Sequence, residues 1–82
     1  MMKQYEMLNI FINIYVDKYV NEINEAMCET EAEQLKNARE AANIRGQIKA
    51  TKRIAKMLFS AEDVKAMVKE AKAEAKAIAE EI

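Results

Sequence analysis

Histidine, proline and tryptophan are absent from this chain, and glycine and cysteine each occur once. Without histidine, the usual general base, the Ser/His and Cys/His nucleophile pairs and the commonest metal ligand are all missing. The one cysteine, Cys28, excludes an intrachain disulfide and a CxxC zinc site. Gly46 stands alone, so there is no glycine-rich loop to cradle a phosphate. Ser60 is the only serine and has no candidate base beside it. This inventory predicts a chain that is not an enzyme and that uses neither a metal nor a cofactor.

The 82 residues present are 51% hydrophobic and 33% charged, which suits one packed domain over 1–82 rather than a disordered segment. With so little turn punctuation, most of the length must lie in long helices. The apolar run Leu8–Val16 is too short to span a bilayer, and Asn9 and Asn13 interrupt it. Glu6 precedes it and no small-residue cleavage site follows, so it does not read as a signal peptide. With a free thiol besides, the expectation is a cytoplasmic protein.

Two helix starts are legible, Thr30-Glu31-Ala32-Glu33 and Ser60-Ala61-Glu62-Asp63, each a hydroxyl cap with an acid three residues on. They divide the chain into helices over about 3–28, 30–58 and 60–81. The first carries a stripe at Tyr5, Leu8, Ile12, Tyr15, Tyr19, Ile23 and Ala26. Its front half also alternates like a strand, but nothing else in the chain offers that strand a partner. The third has a seam at Val64, Val68, Ala71, Ala75, Ile78 and Ile82. The middle helix splits into two stripes, Leu35/Ala38/Ala42 and Ile44/Ile48/Thr51/Ala55/Leu58, so either it bends near 43–46, beside Gly46, or its two halves pack on different neighbours. The predicted fold is all-α, a small three-helix bundle or antiparallel helical hairpin completed by self-association.

Two surfaces stand out as candidate sites. Arg45, Lys49, Lys52, Arg53 and Lys56 form a basic patch with no acid between Ala41 and Ala61, and four of them share one helical face. Such a stripe suits phosphates, anionic headgroups or an acidic protein, or serves as a solvated face paired within the fold. The second surface is Met7, Ile10, Phe11 and Ile14, nearly opposite the first helix's main stripe. Two apolar faces mean either a central helix wrapped by the others or a contact between copies, and self-association is the expectation. The acidic row Glu22, Glu25, Glu29 and Glu33 lacks the histidines of a bundle metal site and reads as a solvated face.

Arg53-Ile54-Ala55-Lys56-Met57-Leu58 followed by Ser60-Ala61-Glu62-Asp63-Val64 is similar to the core of a helix-turn-helix. It has Phe59 where that motif has glycine, and its turn is one residue short. From Tyr19 to Val68 the chain resembles the helical C-terminal tails of the recombination-promoting nuclease family, which belongs to the PD-(D/E)XK fold. The likeness rests on Met27-Cys28-Glu29, Ala38-Arg39-Glu40, Ile44-Arg45-Gly46-Gln47-Ile48 and Ser60-Ala61-Glu62-Asp63-Val64. The nuclease core is absent, so the resemblance transfers no catalytic residue. It implies a helical module that oligomerises or regulates a partner. The function expected is non-catalytic protein–protein interaction, as a small bacterial or phage regulator or inhibitor. The alternative is a small DNA- or RNA-binding protein using the basic face 45–56. The partners expected are a second copy and a protein target, with nucleic acid as the alternative and no membrane span.

Overall fold

The computed structural model describes residues 2–82 and contains three helices, α1 (Gln4–Met27), α2 (Glu31–Leu58) and α3 (Ala61–Glu81), with no strand among the described residues. Both interhelical starts are capped as the sequence pattern requires. The Thr30 hydroxyl accepts from the Glu33 amide at 3.2 Å, and the Ser60 hydroxyl accepts from the Asp63 amide at 3.1 Å. The acid side chains are put to different uses. Glu33 turns back to accept from the Glu29 amide at 3.0 Å, whereas Asp63 accepts from the Gln4 side chain at 3.1 Å and ties the starts of α3 and α1 together. The chain reverses at Cys28 and Phe59 through extended backbone, so neither turn needs a glycine.

α1 is the central helix. It packs along both neighbours, while α2 and α3 touch each other only sparsely. Gln4 meets Asp63 and Lys72 stands over Tyr15, so α3 runs parallel to α1. Asp17 and Gln47 border the same groove, while Asn21 pairs with Asn37, so α2 runs antiparallel. The α2–α3 corner therefore folds back on itself, unlike the near-perpendicular corner of a helix-turn-helix.

Having two neighbours puts two faces of α1 to use. Met7, Phe11 and Tyr15 are its buried large side chains, and Leu8, Ile12, Ile14, Val16 and Tyr19 pack around them half-exposed. Two members of the expected self-association face are thereby corrected. Met7 and Phe11 are 1% and 0% exposed inside the chain's own core, whereas Ile14 is half-buried against it and Ile10 is exposed. Tyr5 and Ile23, placed on the core stripe by their spacing, are exposed instead. On α3 the seam holds at Val64, Val68, Ala71 and Ala75, then passes to Ala79 while Ile78 and Ile82 face out. A straight helix of 3.6 residues per turn drifts away from a strict 4-3 repeat, which accounts for the shift. The small side chains of Ala71, Ala75 and Ala79 let α3 lie close against α1.

α2 is one unbroken helix through Gly46. Its inward line is Asn37, Ala41, Ile44, Ile48, Thr51 and Ala55, while Leu35, Ala38 and Ala42 are exposed. Asn37 holds its place through reciprocal bonds with Asn21. The Asn21 amide donates to the Asn37 side-chain and backbone oxygens at 3.0 and 3.2 Å, and the Asn37 amide donates to the Asn21 carbonyl at 3.3 Å. A paired polar couple in a helix seam fixes register, because a slipped alignment would leave both amides buried and unbonded. A Cβ on Gly46 would meet nothing within 4 Å. Gly46→Ala is expected to raise stability by about 0.5–1 kcal/mol, read as a higher urea midpoint with an unchanged slope.

Candidate functional site

Arg45, Lys49, Lys52 and Lys56 recur at spacings of four, three and four along α2, within roughly 60° of arc at 100° per residue. All are exposed except Lys52, which is half-buried, and Arg53 is exposed beside them. On α3, Lys65, Lys69, Lys72 and Lys76 repeat the same spacing, and all four are exposed.

The fold brings these rows onto one side of the molecule. Lys52 and Lys56 border a groove with Lys65, Val64 and Val68, so the rows lie side by side near the α2–α3 junction. At the other end Arg45 and Lys76 both border Glu22 of α1. Between them the Lys72 ammonium stands 5.5 Å above the Tyr15 ring. The rows thus flank one strip of α1 and run in opposite directions, Lys56 beside Lys65 and Arg45 towards Lys76.

None of the eight row cations makes an ion pair among the described residues; the one pair there joins Lys18 to Glu22 at 2.9 Å. That hydrogen bond holds the Lys18 ammonium above its ordinary value despite partial burial, so Lys18 stays charged and already partnered. The acids of α3 lie elsewhere. Asp63, Glu70, Glu74 and Glu81 form an edge roughly 150° around from the lysine row, with the α1-facing seam between the two. Asp17 and Glu40 border the groove on the reverse side of the α1–α2 pair. The exceptions are Glu22 and Glu25 on the α1 strip, and Glu62 and Glu80 at the outer margin of the lysine row.

The α3 row is the part of the surface that reading the sequence missed. Summed over residues 60–82 the charge is net acidic, which hides the segregation of lysines from glutamates on opposite flanks. The signal was the repeated 4-3-4 spacing of cations. The acidic row Glu22, Glu25, Glu29, Glu33 is broken by the α1–α2 link, and no group of three or more acids or cysteines among the described residues is placed to hold a metal ion. Cys28 is half-buried, and its thiol donates to the Asn24 carbonyl at 3.2 Å. No described helix is long and apolar enough to cross a membrane. Comparison with protein-family models, curated proteins and solved structures returns no match.

Proposed function

We propose that the protein is a non-catalytic binding module whose two-row cationic face engages the phosphate backbone of nucleic acid. The observation that carries this reading is eight cations without an ion pair in two neighbouring rows, with Asp63, Glu70, Glu74 and Glu81 of α3 on a different edge.

The composition of the face favours phosphate over a protein surface. Every row member except Arg45 is lysine, and no exposed aromatic stands among them. Protein–protein contact surfaces are depleted in lysine and enriched in aromatic residues, methionine and arginine. Lysine acts as a point charge suited to phosphate oxygens, whereas carboxylate recognition favours the planar fork of arginine. The formal net charge of −1 is a poor guide here. Even across the thin dimension the outermost Cα atoms are 18 Å apart, about two Debye lengths at 0.15 M ionic strength. A polyanion at the basic face therefore meets a local field that the acids on the far side barely offset, and Glu22, Glu25, Glu62 and Glu80 are the acids near enough to reduce it.

A protein partner is the second reading, favoured by the exposed apolar end of α2 at Ile54, Met57 and Leu58. The test is an anisotropy titration of the full chain with a labelled random-sequence duplex at about 50 mM salt. Submicromolar binding that weakens steeply with salt is expected. No binding under those permissive conditions would remove the nucleic-acid reading and leave the protein partner.

A further inference from the structure

We infer that the two rows form one seat for duplex nucleic acid, each row following the phosphates of a different strand across a groove. This rests on the phosphate-binding reading above and goes further, to strand number. Each row spans twelve residues, an axial rise of about 16 Å at 1.5 Å per residue, with successive cations about 6, 4.5 and 6 Å apart along the axis. The rows stand on different helices that touch only sparsely, so they are separated by at least a helix-packing distance of about 8–10 Å. One strand traces one line and would have to double back to fill both rows. A duplex offers two backbone lines bordering grooves about 6 or 12 Å wide.

The side chains between the rows point the same way. Sites for unpaired strands combine positive charge with aromatic platforms on which bases stack. Here Tyr15 is buried beneath Lys72, and Tyr19 is half-buried with the Lys18 ammonium 5.1 Å from its ring. An unstacked base therefore finds no open aromatic surface. The rows also contain no asparagine or glutamine to pair with adenine and no acid to accept from cytosine, which leaves phosphates and guanine edges as what these cations can meet.

The experiment measures affinity against salt for a 20-base-pair duplex of random sequence and for each of its strands alone. It uses the full chain and two variants, Lys49→Gln/Lys52→Gln/Lys56→Gln and Lys65→Gln/Lys69→Gln/Lys76→Gln. The second spares Lys72 because of its place over Tyr15, and circular dichroism checks that both retain their helix. Eight contacts predict a log–log slope of about −7 on duplex, and three fewer predict about −4.5 for either variant. Raising salt from 50 to 200 mM then weakens the parent about 10⁴-fold and each variant about 500-fold. The single strands are expected to bind more weakly, with a shallower slope. Equal or tighter binding of a single strand would overturn the inference, as would an α3 variant whose slope matches the parent. In both cases phosphate binding itself would stand. Failure to bind duplex or strand, with capture by phosphatidylserine vesicles instead, would defeat the inference and the nucleic-acid reading together.

Discussion

Replacing Phe11 with alanine is expected to cost about 3–5 kcal/mol, a large share of what an 82-residue domain has to lose. Phe11 has no exposed surface and lies on the central helix, in one cluster with residues of both α2 and α3. Losing its ring removes packing that holds both neighbours to α1, and the rigid helices can collapse only partly into the space. The midpoint of thermal unfolding should fall by more than about 10 °C, since each kcal/mol shifts a domain of this size by roughly 4–8 °C. Ile10→Ala, at an exposed position one residue away, should cost much less. Similar losses at the two positions would mean that α1 is not wrapped by its neighbours.

That contrast marks what periodicity can tell. Helix number, the two interhelical caps and the first four positions of the α3 seam are legible because each rests on local spacing. A second apolar face on the first helix was legible too, but its use was not. Spacing gives the direction in which Met7 and Phe11 point, and only the presence of two neighbours makes that direction an interior. The α2 line was missed for a different reason. Asn37 sits at 8% exposure on the inward face, and a search for apolar residues alone passes over it and reads two separate stripes where the inward face is one line. Asn21 and Asn37 can be recognised only as a pair, and their separation of 16 positions in the sequence hides the pairing until the helices are antiparallel.

The cationic surface divides in the same way. Its α2 half is a run of cations uninterrupted by acids and is plain in the sequence. Its α3 half is interleaved with glutamates, so chain averaging cancels what the helix separates in space.

The measurement that bears most directly on the nucleic-acid reading reverses one cation in each row and follows duplex affinity. Lys52→Glu with Lys69→Glu removes two phosphate contacts and sets two negative charges facing the backbone. Each lost contact is worth about a factor of ten or more at 50 mM salt, so the double reversal should weaken binding at least about 100-fold. Both positions lie outside the core cluster, so helix content and unfolding midpoint should hold. The matched control, Glu70→Gln with Glu74→Gln, alters the acidic edge and should leave duplex affinity within about threefold. A double reversal that keeps parental affinity, or a control that shifts it as strongly, would contradict the assignment of this face to nucleic acid.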